Sequence, residues 1–379
     1  MKFIFWFSLG FIFYTYVGYP CLLLIWAKFL EKKIKKNYIN PFVSIIVAVH
    51  NEEKNIKARI ENLLNQDYSK DKLEIIVVSD GSTDATNDLI TQLRNDPMTK
   101  LPSNQITLLS YFPRRGKPYA LNLGVKEAKG EIIIFTDARQ RFEPNAIKEL
   151  TANFHDPSVG CVSGELFFYE NTKSSIKHEM GLYWNYEKQI RKLESEINSV
   201  AGATGAIYAI RKNLYKPIPS DILLDDVLIP MQVVLQGSRT IFDSSAKAYD
   251  WISKDIKQEK RRKIRTLLGN WQLITKYPIL LSPFKNPIWW QFISHKITRL
   301  FVPFLLILLF LSAFALKGLF YQLTWLTMLS IFLFSFLERP LNNYSMLFKL
   351  SKLARTFLML NYFAFLSFFY FISGKKNIW

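Results

Sequence analysis

Polar residues follow three apolar segments of this 379-residue sequence, at the points where buried strands would end. FVSIIVAV is followed by His50 and Glu52, LEIIVVS by Asp80, and EIIIFT by Asp137. Carboxylates accept hydrogen bonds from a nucleotide base or from ribose hydroxyls, and they also ligate divalent cations. Because a buried strand does not need an acid at its end, the repetition of this pattern indicates a polar binding site.

The last of these segments, IIIFTDARQRF at 132–142, has Arg139 two positions after Asp137. Asp-Ala-Asp there would be a familiar pair for holding a divalent ion, and a guanidinium cannot ligate a cation. Two hypotheses follow. Arg139 pairs with an acid and leaves Asp137 as the only carboxylate on a metal, or its guanidinium binds phosphate directly and reduces the need for metal.

The elements that position these residues are predicted from hydrophobic periodicity. Apolar segments alternate with amphipathic helical stretches, and we predict strands at 42–49, 73–79, 106–110 and 131–136. Strands that alternate with helices form a largely parallel sheet covered on both faces. Ligands of such sheets bind beyond the carboxyl ends of the strands, so the three polar clusters are expected to meet in one crevice.

Several ordered motifs extend this pattern along the chain: VSIIVAVHNEE, IIVVSDGSTD, RRGKPYALNLG, IIIFTDAR, GATGAIYAIRK, LLDDVLIP and EKRRKIRTLLGNWQ. In their order and spacing they resemble the family-2 inverting glycosyltransferases, specifically the membrane-embedded branch that includes chitin, hyaluronan and cellulose synthases. The resemblance covers nearly the whole chain. It implies an α/β fold of the GT-A (Rossmann-like) type, with a mostly parallel sheet flanked by one N-terminal and about three C-terminal transmembrane helices.

The resemblance also implies a donor site for a UDP-sugar. Glu52 and Asp80 would contact the base and ribose, and His50 stands where a tyrosine is common and would stack on the base. An ordinary strand-end histidine and an Asx-type turn at Asp80 are the structural alternatives. Lys117 begins a predicted helix, and a lysine at a helix N-terminus is suited to phosphate. Asp137 would face the diphosphate through a divalent metal, Mg²⁺ or Mn²⁺, with Arg139 as a departure from the family pattern.

For catalysis, the family carries an acidic pair where this sequence has Asp225 and Asp226. The second acid is the general base, so the resemblance assigns Asp226 to take the proton from the acceptor hydroxyl as it attacks the anomeric carbon. Asp225 is the alternate base. Two solvated acids that cap a helix are the structural alternative.

Two further segments would serve the acceptor and the diphosphate. Gly205 belongs to a loop of small residues that lies near the acceptor in the family, although a plain turn is the alternative. By analogy Arg262 or Arg265 would bind the diphosphate and Trp271 would border the acceptor. The Gln-x-x-Arg-Trp spacing of the synthases is not met, and a basic amphipathic helix on anionic headgroups is a second interpretation.

Uncharged segments at both ends indicate a membrane protein. They lie at 3–27, 300–316, 318–337 and 356–374. The first is long enough to span about 30 Å of hydrocarbon and longer than the apolar region of a signal peptide. Lysines from Lys28 to Lys36 follow it, which predicts an external N-terminus and a cytoplasmic middle domain. Four spans put Lys375 and Lys376 outside, whereas a re-entrant or interfacial last segment would remove that conflict.

We therefore divide the chain into an N-terminal span with its basic flank at 1–36, a cytosolic glycosyltransferase domain at 37–257, amphipathic or interfacial helices at 258–299, and a C-terminal membrane region at 300–379. The net charge is +18, and much of it flanks the membrane segments, so anionic lipid is the expected partner. No nucleic-acid recognition module is present. Two cysteines do not suggest a disulfide framework.

The predicted function is transfer of a sugar from a nucleotide donor, with UDP as the expected nucleotide, to a polysaccharide or lipid-linked acceptor at the cytoplasmic face of the membrane, with inversion. A single-sugar transferase to a lipid is the alternative enzyme. A catalytically inactive membrane partner with the same fold is the alternative outside catalysis, and Arg139 is the residue that favours it.

Overall fold

The structure is a computed structural model that describes residues 1–95, 105–169, 176–251, 256–336 and 346–374. Its central element is a mixed sheet with the strand order β3-β2-β1-β4-β7-β6-β8-β5. The strands are β1 Val43–Val49, β2 Leu73–Asp80, β3 Ile106–Tyr111, β4 Ile132–Thr136, β5 Arg141–Phe142, β6 Val159–Tyr169, β7 Tyr208–Arg211 and β8 Arg239–Trp251.

The four strands predicted from the apolar segments are present, and they form the parallel half of this sheet. β1 pairs in parallel with β2 and with β4, and β2 pairs in parallel with β3. In register, Val49 lies beside Ser79, and Val47 lies beside Thr136. This register brings the residues that follow β1, β2 and β4 to one edge of the sheet, as the sequence predicts.

The other half of the sheet departs from parallel pairing. β7, predicted as a strand from IYAI, pairs antiparallel with both β4 and β6. β6 and β8 pair in parallel, with register shifts between Val159 and Cys161 and between Ser163 and Glu165. The continuous run of parallel strands therefore ends at β4, and parallel and antiparallel pairs are mixed beyond it.

Helices of the central domain are α2 Ile56–Leu64, α3 Thr86–Asn95, α4 Lys117–Glu127, α5 Ala146–Ala152, α6 Ile176–Ile197, α7 Asp225–Leu235 and α8 Ile256–Lys276. One face of the sheet packs against α2, α3 and α5 through residues such as Ile60 and Ile147. The opposite face packs against α4 and α7 through Leu121 and Val234. Both faces are thus covered, which explains why β2 is buried at every position.

The apolar ends of the chain form α1 Lys2–Leu30, α9 Trp289–Ala315, α10 Leu319–Phe334 and α11 Met346–Ile372. By length and composition α1, α9 and residues Leu350–Ile372 of α11 can cross a membrane, and α10 is a shorter apolar helix. α9 begins well before the span expected at 300–316, because residues 289–299 continue the same helix rather than forming a separate segment.

α1 and α9 run in opposite directions. Trp290 at the start of α9 contacts Trp26 near the end of α1, with ring centroids 4.4 Å apart. At the far ends, Phe5 packs beside Leu309 and Ala313. Residues 337–345, between α10 and α11, lie outside the described residues. Lys375 and Lys376, for which four spans predict an external position, lie outside them as well.

α11 packs lengthwise along the basic helix α8. The Lys260 ammonium lies 5.8 Å from the centroid of the Tyr362 ring, and the ring of Trp271 stacks on Phe371 at 6.2 Å. The two contacts follow the same order along both helices, so α8 and α11 run in the same direction. This arrangement holds α11 against the central domain over roughly 14 Å, at 1.5 Å per residue.

Candidate active site

The residues after β1 and β2 are in direct contact. Nδ1 of His50 lies 2.8 Å from the backbone oxygen of Asp80. The backbone N–H of Glu52 donates to the hydroxyl of Thr86 at the start of α3, and its carboxylate accepts from the Asn55 amide at 2.7 Å. Three predicted donor-binding residues therefore lie together at the carboxyl ends of the strands. The backbone contact of His50 is also the contact expected of an ordinary strand-end histidine.

Asp80 holds the loop that leads into α4. Its Oδ1 accepts from the backbone N–H of Arg115 at 2.6 Å and from the Tyr111 hydroxyl at 3.0 Å, and its Oδ2 accepts from the N–H of Gly116 at 2.9 Å. The residue is buried. Gly116 has φ +92, a conformation that a side chain disfavours. Asp80 thus positions the N-terminus of α4, and its predicted contact with ribose stays a prediction.

Lys117, the first residue of α4, bridges two acids from different elements. Its Nζ donates to Oδ1 of Asp137 at 2.9 Å and forms an ion pair with Oδ2 of Asp225 at 3.3 Å. Burial raises the pKa of Asp137, but the Lys117 ammonium more than offsets this effect and the pKa lies below its usual range. Burial opposes the charge on Lys117, whereas Asp137 and Asp225 raise its pKa. Lys117 and Asp137 are therefore both charged at neutral pH.

Asp225 and Asp226 begin α7, but their carboxylates face different surroundings. Asp225 is buried against Lys117, whereas Asp226 lines a cavity. Burial and the neighbouring Asp225 carboxylate raise the pKa of Asp226 to about 6, and Lys117, Lys296 and Arg265 act in the opposite direction. A carboxylate with such a pKa is suited to accept a proton near neutral pH.

The small-residue loop closes over Asp226. The N–H of Ala203 donates to the backbone oxygen of Asp226 at 2.7 Å. A Cβ atom at Gly205 would lie 3.0 Å from Oδ2 of Asp226, which is closer than ordinary van der Waals contact. The glycine therefore allows the catalytic candidate and this loop to approach each other, and it keeps the space beside the carboxylate open.

Arg139 is paired with an acid. Its Nη2 lies 2.8 Å from Oδ2 of Asp250, a residue at the end of β8 whose side chain is only 2% exposed. The Gln140 amide donates to the same oxygen at 2.9 Å. This is the pairing that the first hypothesis for Arg139 requires. Asp250 comes from a strand that the sequence reading did not identify.

The three predicted site residues of the basic helix α8 lie at different places relative to the cavity. Arg262 lines the cavity beside Asp226, and Arg265 donates to the backbone oxygen of Leu223 at 3.2 Å, two residues before Asp225. Trp271 is buried among aromatic rings, including Phe301 at 5.3 Å and Phe368 at 5.3 Å. It packs α8 against α9 and α11 and is not among the residues that line the cavity.

The cavity has a volume of about 670 Å³ and extends from Asp137 and Asp226 to α9 and α11. Its far wall contains titratable residues that sequence reasoning did not select: Glu187, Arg191 and Glu194 on α6, and His295, Lys296 and Arg299 on α9. The sequence contains a signal for the three residues of α9, because His295, Lys296 and Arg299 interrupt an otherwise apolar segment. The neighbouring Trp289 and Trp290 favour a membrane-interface interpretation of the same segment.

These residues form a network between the central domain and α9. His295 lies between the carboxylates of Glu187 and Glu194, at 2.9 Å from each. Arg299 forms an ion pair with Glu187. Burial opposes ionisation of Glu187, but Arg299 and His295 lower its pKa well below the usual value. The ion pair of Glu187 with Arg299 and the contacts of His295 attach α9 to α6 at the far wall of the cavity.

A divalent cation fits this site if Asp137 and the phosphates of a bound ligand hold it together. Asp137 is 39% exposed and bonds to Lys117 through Oδ1, which leaves its second oxygen for a further contact. Mg²⁺ is commonly held by one or two carboxylates together with substrate phosphates. Within the parts of the chain that the structure describes, no group of three or more histidine, cysteine or acidic side chains is arranged to hold an ion without such a ligand.

Comparison with known proteins gives consistent matches. Residues 44–218 match Glycosyl transferase family 2, and residues 132–373 match Glycosyl transferase family group 2. The chain is 24% identical over 240 residues to a poly-beta-1,6-N-acetyl-D-glucosamine synthase of Staphylococcus aureus (strain COL), covering 62% of this chain and 56% of that protein. It is 25% identical over 259 residues to the probable glycosyltransferase YdaM of Bacillus subtilis (strain 168), covering 62% and 57%.

The chain thus spans little more than half the length of these curated relatives. Among solved structures, a mannosyltransferase from Pyrobaculum calidifontis, in complex with GDP-Man and Mn²⁺, superposes with a TM-score of 0.76. The similarity covers 98% of this chain and 99% of that one, at 21% sequence identity. It confirms the predicted fold, including the apolar helices at both ends.

Proposed function

This chain belongs to the family-2 glycosyltransferases, and from that premise we propose that it is a membrane-bound inverting enzyme that transfers a sugar from a nucleotide donor to a polysaccharide or lipid-linked acceptor. The observation that carries the proposal is the exposure of Asp226 to a large cavity, next to the ion-paired cluster of Lys117, Asp137 and Asp225. The proposed base, Asp226, and a cation suited to bind phosphate, Lys117, are therefore close to each other.

In the proposed reaction, Asp226 accepts the proton of an acceptor hydroxyl. That oxygen forms a bond to the anomeric carbon while the bond from this carbon to the diphosphate oxygen breaks, and the nucleoside diphosphate leaves with its electron pair. Direct displacement inverts the anomeric centre and needs no covalent enzyme intermediate. The raised pKa of Asp226 supports this role, because general bases act best with a pKa near the working pH.

The donor is proposed to lie across the carboxyl ends of β1, β2 and β4, with its base near His50 and Glu52. Lys117, Arg262 and Arg265 would neutralise the diphosphate. Asp137 would hold a divalent cation, which when bound neutralises charge on the leaving group. We propose UDP as the nucleotide. The mannosyltransferase that shares the fold is described with GDP-Man, so guanosine donors are the informative comparison.

We propose that the catalytic domain is cytoplasmic and that α1 crosses the membrane towards it. The backbone of Lys32 donates to Glu196 of the domain, and Lys36 pairs with Asp243 at 2.8 Å, so the basic end of α1 adjoins the domain. Lysine-rich flanks favour the cytoplasmic side.

We further propose that α11 lies in the cytoplasmic interface rather than crossing the membrane. It packs along α8, whose lysines and arginines are costly to bury in hydrocarbon. α1, α9 and α10 would then be the spans. A last helix of this kind is the interfacial alternative that the sequence left open.

A donor screen tests the proposed activity. Purified protein in detergent would be incubated with UDP-, GDP- and other nucleotide sugars, with and without chelator, and the free nucleotide measured. We expect one nucleotide class to be turned over and chelator to reduce the rate. Asp226→Asn should lower kcat by about 10² to 10⁴-fold without loss of donor affinity. Folded protein that neither binds nor cleaves any nucleotide sugar would refute the proposal.

A further inference from the structure

Lys296 is unusual among the charged residues of α9. Charged side chains in membrane-crossing helices are costly and mark functional sites, where they normally have a partner. His295 has Glu187 and Glu194, and Arg299 has Glu187. Within the described residues, the ammonium group of Lys296 makes no hydrogen bond or ion pair, although Lys296 lines the cavity.

Arg191 on α6 is a second cation at the same wall without an acidic partner at ion-pair distance in the described part of the chain. Its guanidinium donates to the hydroxyls of Thr204 at 2.7 Å and Ser163 at 2.6 Å, both of which are uncharged. Glu187 and Glu194 are already bound to Arg299 and His295. Two positive charges therefore face the cavity without a carboxylate of their own.

One wall of the same cavity is mostly apolar. Leu353, Phe357, Leu360 and Ala364 line it from α11 at three- or four-residue intervals along one face of that helix, together with Thr356 and Asn361. The cavity therefore has cations at the wall formed by α6 and α9 and a mostly apolar lining along α11. An amphiphile with an anionic group near its head has the complementary distribution of charge and apolar surface.

We infer that the acceptor is a membrane lipid whose head group carries a phosphate, held between Lys296 and Arg191, and a free hydroxyl that faces Asp226. Its apolar chain lies along α11. This inference rests on the proposed function and specifies its acceptor. The phosphate is not consumed: the hydroxyl oxygen forms the new bond to the anomeric carbon, its proton passes to Asp226, and the nucleoside diphosphate leaves.

Matched lipids test the inference. Two acceptors would carry the same sugar and the same decyl chain, joined directly in one and through a phosphodiester in the other. A third would carry the phosphodiester on a farnesyl chain, to distinguish isoprenoid from straight-chain lipids. The wild-type enzyme is expected to have a KM at least about tenfold lower for the phosphodiester lipids than for the neutral glycoside, since hydrogen bonds to charged groups are strong.

Lys296→Gln should remove most of that preference, raising the KM for the phosphodiester lipids about tenfold and leaving the KM for the nucleotide sugar within about twofold. Lys296→Arg should restore most of it. Lys317→Gln, at an exposed lysine two residues beyond the end of α9, is the matched control. An equal effect on neutral and phosphodiester lipids, or an increase confined to the donor KM, would overturn the inference.

The wild-type comparison decides the question even where a variant does not fold. Turnover of the nucleotide sugar with the neutral glycoside alone would refute the phosphate-bearing acceptor and leave the proposed function standing. Failure to bind any nucleotide sugar by calorimetry would instead refute the proposed function.

Discussion

Asp225 and Asp226 are adjacent in the chain, and their surroundings give them different chemistry. Asp225 is buried against the Lys117 ammonium, so its charge is matched within the protein. Asp226 lines the cavity beside Gly205, where a hydroxyl can approach. Neighbouring carboxylates with different environments are a common basis for separate catalytic roles. This contrast favours Asp226 as the base and gives Asp225 a role in positioning Lys117.

A pH dependence of catalysis follows from the pKa of Asp226, which is raised to about 6. The base acts in its ionised form, so kcat/KM should be low at pH 5, rise through pH 6 and level off above about pH 7. Initial rates at sub-saturating acceptor and saturating donor would be measured across this range. Donor affinity measured over the same range is the control, and a flat rate between pH 5 and pH 7.5 would contradict the assignment.

Gly205→Ala tests the contact between the small-residue loop and the base. The new Cβ would lie 3.0 Å from Oδ2 of Asp226, so the carboxylate must shift. We expect kcat to fall on the order of 10- to 100-fold, because small displacements of a reacting group are costly. Thermal unfolding should change little. Unaltered kcat would show that this approach is not needed for catalysis.

Among the elements, α8 fixes the turn from which α7 begins. Gln272 accepts from the backbone of Leu223 at 2.9 Å and donates to Asp221 at 2.7 Å. Gly269 of α8 faces Leu224, the residue before Asp225, so closely that a Cβ would lie 2.8 Å from its Cδ1. The position of the proposed catalytic acids therefore depends on the close approach of α8, whose contacting residues lie more than 40 positions later in the sequence.

Gly269→Ala should force these elements apart. Because an added methyl group overpacks this contact, we expect the free energy of unfolding to fall by about 1–3 kcal/mol and kcat to fall with it. Denaturation in detergent and initial rates would measure the two effects. Gly10→Ala is the matched control, since a Cβ at this helical glycine of α1 meets nothing within 4 Å. Equal stability of the two variants would contradict the prediction.

At the scale of the whole molecule, the cavity has walls from both the central domain and the apolar helices. The network of Glu187, Glu194, His295 and Arg299 joins α6 to α9, and α11 closes the cavity from the side. In the proposed topology, this coupling would place Asp226 beside the membrane surface, where a lipid-borne acceptor would be concentrated.

The proposed topology predicts where tags become accessible. A tag after Trp379 should resist protease in intact spheroplasts and be cleaved after permeabilisation, whereas a tag before Met1 should be cleaved from outside. Three spans with an interfacial α11 require this result. Cleavage of both tags from outside would show instead that α11 crosses the membrane, because a fourth crossing reverses the side of the C-terminal end.

The sequence by itself determined the parallel half of the sheet, the three polar strand ends and the apolar terminal helices. These features depend on local periodicity and on the general rule that parallel strands bring their carboxyl ends together. Tertiary structure alone decided the partners of individual charges: Asp250 for Arg139, Asp137 and Asp225 for Lys117, and the loop of Arg115 and Gly116 for Asp80. It also placed Lys296 in the cavity that Asp226 lines. Such contacts join segments far apart in sequence, so no local pattern contains them.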